Sequence, residues 1–454
     1  KRMKKNLKVE YIFSGLILLL YAYKLFKINT NLDSLYDEGH LLIRLWQVRH
    51  GIIHEGISQW PVMIYKLFGE TFSSDILLLR WIASVWQIIS LVLFSCLSLV
   101  YLKRKQLIRS RKEKIMFINL VFLLGYLCFQ TLIIHYNQLQ ASFMMLIIAC
   151  FLLAETERKK TTIAILYFSI GVLSLFALFT ILPSGAVVLF FILLFTWIRN
   201  RSDIKASVLS TISLITGMFT ALLFYHFFIL DLQIVYANMQ ETAAVITTLN
   251  RGYDPLSFLH KMLVYLKDFY ITLILLLGLF SLSMLMRKKV KDTVVLIFFF
   301  LSVLIFGIYQ IKPMLMQTTL LAFPLVILML YHSYTDKAIF SIKGLILLFL
   351  LFFPLLSSFG TNVYYGEKML WFLVPWSILF FELISHHAFK DRYKKERNYL
   401  WLMFFCFVVY EPVHVIYSDV KRNQEIYVFN SEEPISRIQL TKQQKAYFDK
   451  VYSI

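Results

Sequence analysis

The sequence predicts an all-α polytopic membrane protein, and three observations support that prediction. Apolar residues make up 59% of the 454-residue chain, and charged residues only 16%. The mean hydropathy is +0.68. The apolar residues come in long runs that short polar clusters separate. A soluble chain of this length would carry more charge, so this composition excludes the soluble enzyme and carrier classes.

A spanning helix needs roughly 20 mostly apolar residues, and about 13 segments meet that measure. The segments on either side of Pro183 are short, and one kinked helix is the alternative there. The predicted spans are 9–27, 75–102, 115–134, 139–155, 161–180, 184–198, 206–230, 269–286, 293–311, 317–333, 338–358, 369–386 and 399–416.

The charges predict the orientation. A formal net charge of +19 would suit a nucleic-acid partner, but the cations lie in short clusters between apolar runs, which is the positive-inside pattern. If the N-terminus is cytoplasmic, alternate loops hold these clusters, and merging the two spans around Pro183 would break the alternation. We therefore predict a multi-pass protein whose N-terminus is cytoplasmic and whose C-terminus is external. We expect the protein to contact membrane lipid and not nucleic acid. The clusters are Lys103–Lys114, Glu155–Lys160, Arg199–Lys205, Arg287–Asp292 and Lys390–Arg397.

Two parts of unequal size follow from this pattern. Residues 1–416 form a transmembrane module, and residues 417–454 form a short external tail. The tail is too small to bury a core of its own. Within it, Lys442–Val451 is a candidate amphipathic helix.

The first external loop, Ile28–Ser74, carries the strongest functional pattern. Asp37 and Glu38 are adjacent carboxylates directly after an apolar span, and the amphipathic stretches Gly39–His50 and Ser58–Gly69 follow as predicted helices. Carboxylates at a helix start are favoured by the helix dipole, which is a purely structural explanation. Carboxylates beside lipid also mark working sites, where they act as a general base or bind a metal.

Two further sets of polar residues bear on ligands. Histidines in the first loop could join a divalent cation, Mg²⁺ or Mn²⁺, at Asp37 and Glu38, but their spacing matches no standard motif and solvated histidines are the alternative. Cations on the external side could bind phosphate, or could extend along helix ends to reach water, which suits Lys267 and Lys368 best. The histidines are His40, His50 and His54; the cations are Arg251, Lys261, Lys267, Lys312 and Lys368.

Five stretches resemble the GT-C fold glycosyltransferases, among them the protein O-mannosyltransferase and aminoarabinose transferase groups. The first loop, with Asp37-Glu38 and then Gly51, Pro61 and Phe68-Gly69, resembles their first periplasmic loop. The other similar stretches are Leu77–Ser84, His135–Leu139, Gly171–Pro183 and Phe359–Asn362. In two respects the chain departs from the family. Thr180-Ile181-Leu182 stands where many relatives have Thr-Lys before the proline, so a phosphate-binding lysine is absent there, and the external tail is shorter.

The resemblance implies a bacterial inner-membrane glycosyltransferase. Its donor would be a sugar on a polyprenyl phosphate, and its acceptor a glycan, a lipid or a protein. Asp37 would be the catalytic base, and Glu38 would assist it or bind metal. Lys312 is the first choice for the donor phosphate and Arg251 the second. The other candidate substrate-binding residues are His40, Tyr136, Asn137 and Asn362.

Two alternatives stay open at this point. One is a transporter or flippase of a lipid-linked saccharide, and the other is a polymerase or ligase that uses the same lipid carriers. Transporters concentrate ionisable residues inside their spans. In this sequence the external acidic residues lie in loops, which favours the transferase over the flippase.

Overall fold

The computed structural model of the chain describes residues 9–30, 62–63, 65–66, 76–128, 136–201, 203–237, 240, 255–286, 318, 321–329, 341–360, 365–384, 426–429 and 438–441. Most of these residues are helical. The main helices are α1 (Val9–Thr30), α2 (Ile76–Arg104), α3 (Arg111–Cys128), α4 (Tyr136–Thr156), α5 (Lys160–Thr180), α6 (Leu182–Arg199), α7 (Ile204–Phe228), α8 (Pro255–Met286), α9 (Ile342–Ser357), α10 (Tyr365–Leu370) and α11 (Trp376–Ile384).

Five helices in the described part of the chain are long and apolar enough to cross a membrane: Leu78–Arg104, Tyr136–Thr156, Lys160–Thr180, Leu182–Arg199 and Ile204–Phe228. They match five of the predicted spans and confirm a helical multi-pass membrane protein. The predicted spans 293–311 and 399–416 lie outside the described residues. The full count of about 13 spans stays a prediction.

The chain divides into two compact units. Unit 1 is Lys1–Arg251 with Pro412–Ile454, and unit 2 is Gly252–Glu411. The predicted boundary at residue 416 stays a prediction.

Helices α5 and α7 cross in close contact in unit 1. A Cβ atom added at Gly171 would lie 2.0 Å from the carbonyl oxygen of Leu214, and one at Gly217 would lie 2.1 Å from that of Phe168. Small residues let two backbones approach this closely in a membrane. These two glycines therefore set the distance between the helices.

The chain breaks between α5 and α6 at Ile181, as the two-span prediction requires. Ile181 is extended, with φ −145° and ψ 98°, and Pro183 lies in the first turn of α6. A proline clashes with the carbonyl four residues earlier, so a helix cannot run straight through this point, but it is well tolerated in a first turn.

Two predictions for unit 2 are wrong in detail. The predicted span 269–286 starts too late as a helix, because residues 255–268 of the predicted external loop already form the first turns of α8. Hydropathy missed them because His260, Lys261 and Lys267 interrupt the pattern, although Phe258, Tyr265 and Thr272 form a buried stripe seven residues apart.

The second wrong prediction is the continuous span 369–386. The structure has α10, a turn over 371–375, and then α11. Pro375 explains the break because it lacks an N–H and clashes with the carbonyl of Trp371.

The tail of the chain contains two short strands, so the prediction of an all-α chain is wrong there. Strands β1 (Ile426–Phe429) and β2 (Ile438–Thr441) pair antiparallel, with Ile426 opposite Thr441 and Phe429 opposite Ile438. Strand β2 alternates apolar and polar residues, and β1 consists of apolar and aromatic residues, a composition that favours strands. The predicted helix Lys442–Val451 lies outside the described residues.

Candidate functional site

One end of unit 1, which we name the loop end, gathers the features that bear on function. Helix α1 ends there at Thr30, α2 begins there at Ile76, and residues 31–75 connect the two. Helices α4 and α6 also begin at this end, because the side chain of Gln140 in the second turn of α4 donates to Ser184 in the first turn of α6, at 2.9 Å.

A short part of the first external loop packs onto the loop end. Val62 and Met63 are helical and buried, and they contact the last turns of α5 and α7 in an apolar cluster. Phe179 and Tyr225 of that cluster have ring centroids 4.5 Å apart. Residues 62–63 and 65–66 are helical, within the predicted stretch Ser58–Gly69. The packing of Val62 and Met63 holds this part of the loop against the bundle.

A lysine lies buried inside the predicted first span. Lys24 is only 6% exposed, and its Nζ donates to Oε1 of Gln87 on α2 at 2.8 Å. The amide of Gln87 donates to the hydroxyl of Tyr21 and to the carbonyl of Gly125, both at 3.4 Å. Tyr21 in turn donates to the carbonyl of Phe122 at 3.0 Å. This chain of donors orients the amide oxygen of Gln87 toward the ammonium group.

A row of buried polar residues follows the inner face of α2. Arg80, Ser84 and Gln87 are all buried, and their spacing of four and three residues places them on one face of the helix. The hydroxyl of Ser84 has no hydrogen-bond partner among the described residues. Buried ionisable residues in a membrane are costly and are typically functional, so this row belongs to the candidate site.

A second polar cluster joins α4, α5 and α6 at the same end. The hydroxyl of Thr180 donates to the side chain of Gln140 and also to the carbonyl of Ala177 at 2.8 Å. All three polar residues of this cluster, Gln140, Thr180 and Ser184, are buried. Hydrogen bonds between helices fix the relative positions of their ends in a membrane.

Only two of the predicted substrate-binding residues fall in the described part of the chain. Tyr136 begins α4 and is half-buried, and Asn137 follows it and is buried. Both therefore lie at the loop end, one turn from Gln140. The remaining predicted site residues lie outside the described residues: Asp37, Glu38, His40, Arg251, Lys312 and Asn362.

Lys24 and Gln87 were not predicted as site residues, although the sequence contains a signal for Lys24. Lys24 is a charged residue inside the predicted span 9–27, and such residues are rare and usually functional. Lys24 is distant in sequence from the carboxylates Asp37 and Glu38. Because lysine is common at helix ends, its position near the end of the span did not suggest a site. Arg80 entered only through the family resemblance.

Unit 2 contains an apolar cavity of about 560 Å³. Helices α8, α9, α10 and α11 and the helical residues 321–329 line it with aromatic and aliphatic side chains, among them Phe269, Val326 and Leu351. Lys267 is also a lining residue, and it is exposed. A cavity of this size and character suits an apolar chain.

The predicted surface role of Lys368 is wrong. Its side chain is buried at 3% exposure, whereas Lys267 is exposed as predicted. Nearby in α10, Tyr365 donates to the carbonyl of Phe258 at 3.3 Å. Burial raises the pKa of Tyr365 to about 12, and a hydrogen bond with the backbone of Gly360 opposes part of that rise. Tyr365 therefore stays a neutral donor at physiological pH.

Among the described residues, no group of three or more His, Cys, Asp and Glu side chains could hold a metal ion. The carboxylates predicted to bind Mg²⁺ or Mn²⁺, Asp37 and Glu38, lie outside those residues. The predicted metal stays a prediction.

Comparison of the chain with protein-family models, with curated proteins and with solved structures finds no match. The resemblance to GT-C glycosyltransferases therefore rests on the residues quoted above.

Proposed function

We propose that the protein is a glycosyltransferase of the GT-C type. It transfers a sugar from a polyprenyl-phosphate donor to an acceptor hydroxyl at the external face of a bacterial inner membrane. The N-terminus is cytoplasmic and the C-terminus is external in this proposal. It rests above all on the packing of Val62 and Met63 against α5 and α7, because this contact brings a later part of the same external loop to the ends of membrane helices.

Two further observations support the proposal. A sugar phosphate needs cations for its phosphate and neutral hydrogen-bonding groups for its hydroxyls. The loop end has buried residues of both kinds: the cations Lys24 and Arg80, and the neutral amide of Gln140. In unit 2, the apolar cavity with Lys267 in its lining suits an isoprenoid chain and its phosphate. Each observation concerns one unit taken by itself.

In the proposed reaction, the carboxylate of Asp37 accepts the proton of the acceptor hydroxyl. The hydroxyl oxygen attacks C1 of the donor sugar, forming the new glycosidic bond. The bond between C1 and the phosphate oxygen breaks, and its electron pair leaves with the polyprenyl phosphate. A phosphate leaving group needs little acid assistance, so one general base and correct orientation suffice.

Translocation of a lipid-linked saccharide is the second candidate, and one observation favours it. Lys24, Arg80 and Glu382 lie within predicted spans and are buried. Ionisable residues at such positions are typical of transporters.

One experiment separates the two candidates. The purified protein is placed in liposomes with a radiolabelled sugar on polyprenyl phosphate, and both product formation and movement of donor between leaflets are measured. The proposal expects label in an acceptor, with no transfer when a nucleotide sugar replaces the lipid donor. Donor movement without any transfer would replace the transferase with a flippase.

A further inference from the structure

The segment 103–114, which comprises the end of α2, the connection and the first turn of α3, is strongly basic. We name it the basic turn. Seven of its residues are Lys or Arg and one is Glu113. It lies at the end of unit 1 opposite to the loop end, where α2 stops and α3 starts. It is therefore placed at a membrane surface.

The basic turn has a defined backbone conformation. Just after the end of α2, Gln106 adopts the left-handed region at φ 57°. The N–H of Leu107 donates back to the carbonyl of Leu102 in the last turn of α2, at 2.9 Å. Ile108 is buried and anchors the centre of the turn. The basic side chains are thus carried on an ordered segment, where binding costs less conformational entropy than on a free tail.

The acidic residue of the turn is engaged by its own backbone. Oε2 of Glu113 accepts from the N–H of Arg109 at 2.7 Å and from that of Ser110 at 2.8 Å. The hydroxyl of Ser110 accepts from the N–H of Glu113 at 3.2 Å. This reciprocal capping of α3 engages the carboxylate of Glu113 with backbone N–H groups.

Two cations of the turn have acidic partners. Arg104 pairs with Glu157 at 2.8 Å, and Lys112 pairs with Glu10 at 3.7 Å. Four others are exposed and make no ion pair with any described residue: Lys103, Lys105, Arg109 and Arg111. The turn therefore presents an excess of positive charge on a fixed frame.

An apolar stripe of α2 leads directly to this charge. Val85, Ile89, Val92 and Val100 are between 41% and 50% exposed. At spacings of three, four and eight residues they share one helix face, and Lys103 continues that face three residues after Val100. The stripe would face lipid tails, and Lys103 and Arg111 would lie at the depth of the headgroups. The apolar stripe and the cationic end of the helix are together complementary to the acyl chains and the phosphate of a phospholipid.

We propose that the basic turn binds an anionic phospholipid, whose phosphate contacts Lys103 and Arg111 and whose acyl chains lie along the exposed stripe of α2. Each basic residue beside an anionic membrane strengthens association about fivefold. The leaflet concerned is the one predicted to be cytoplasmic. The proposal does not depend on transferase activity.

The test counts lipids retained by the full-length protein. The protein is released from mixed micelles of phosphatidylglycerol and phosphatidylcholine, and bound lipid is counted by native mass spectrometry. The variant K103Q/R111Q is compared with R201Q/K205Q, which removes two exposed cations, one from the connection between α6 and α7 and one from the first turn of α7. Unchanged melting temperatures in both variants establish that the fold is intact.

We expect K103Q/R111Q to lose phosphatidylglycerol about 25-fold more readily, with retention of phosphatidylcholine unchanged and R201Q/K205Q close to wild type. An equal loss in the two variants would mean a diffuse surface charge and would overturn the proposal. Displacement of the lipid by an equal concentration of glycerol 3-phosphate would overturn it as well, because the acyl chains would then contribute nothing.

Discussion

Nζ of Lys24 and Oε1 of Gln87 lie 2.8 Å apart and join α1 to α2 inside the bundle. The two residues are 63 positions apart in the sequence, with the acidic first loop between them. Their contact therefore fixes both helices from which that loop departs. A loop whose two ends are held in this way can present a carboxylate in a reproducible position.

A double-mutant cycle tests this contact. We expect K24M and Q87L each to lower the free energy of unfolding by about 1–2 kcal/mol, because each leaves a buried polar partner unsatisfied. The double variant should cost less than the sum, with a coupling of about 1 kcal/mol, as for other hydrogen bonds within membranes. Reversible unfolding in mixed micelles measures all four proteins. Additive losses would mean that the two side chains do not interact.

The crossing of α5 and α7 makes a second prediction. We expect G171V to lose folded protein, because its side chain would meet the backbone carbonyl of Leu214 and the helices would have to separate. Gly15 is the matched control, since a Cβ there meets nothing within 4 Å. G15A should therefore keep or slightly raise the melting temperature. Equal melting temperatures for G171V and wild type would contradict the close crossing.

Glu157, in the connection between α4 and α5, predicts a pH dependence. Hydrogen bonds from the backbone of Lys159 and Arg158, together with the side chain of Arg104, lower its pKa from 4.5 to about 2. A lowered pKa in the folded state stabilises the protein above pH 4.5, and this stabilisation is lost as the pH falls toward 2. We expect E157Q to melt below wild type at pH 7.

The difference in melting temperature between E157Q and wild type should shrink as the pH falls below about 4.5. Melting is measured by the fluorescence of the intrinsic tryptophans across pH 7 to 3. A difference that stays constant over this range would show that the charge of Glu157 contributes nothing.

The cavity of unit 2 predicts a defect in donor binding. We expect L351W to fill part of the cavity and to raise KM for a long-chain polyprenyl donor about tenfold, with kcat retained. L256W is the control, because Leu256 is 77% exposed and does not line the cavity. Steady-state kinetics with donors of two chain lengths separates the effects. An unchanged KM for the long-chain donor would exclude the cavity as its site.

Long apolar runs made most of the described helices predictable. Helices α5 and α6 lie within two residues of their predicted bounds, because lipid-facing and core-facing positions are both apolar and hydropathy marks the whole helix. The same measure failed for the amphipathic start of α8, where the buried stripe of Phe258 and Tyr265 is narrow. It also failed at 371–375, where apolar residues continue through a turn.

The candidate site was harder to predict for a different reason. Asp37 and Glu38 are neighbours in sequence, and their pattern is visible without a structure. Lys24 and Gln87 become partners only when α1 packs on α2, and nothing in the sequence specifies which spans are neighbours. The burial of Lys368 likewise depends on the packing of α10, so local sequence suggested the wrong environment.

The most direct test of the proposed function is transfer of radiolabelled sugar from a polyprenyl-phosphate donor by D37N in reconstituted membranes. D33N, in the same loop, is the matched control, and melting temperatures establish that both variants fold. We predict that D37N loses at least about 100-fold in transfer rate, since a general base contributes that much, and that D33N keeps most of it. A folded D37N that transfers sugar at the wild-type rate would contradict Asp37 as the base.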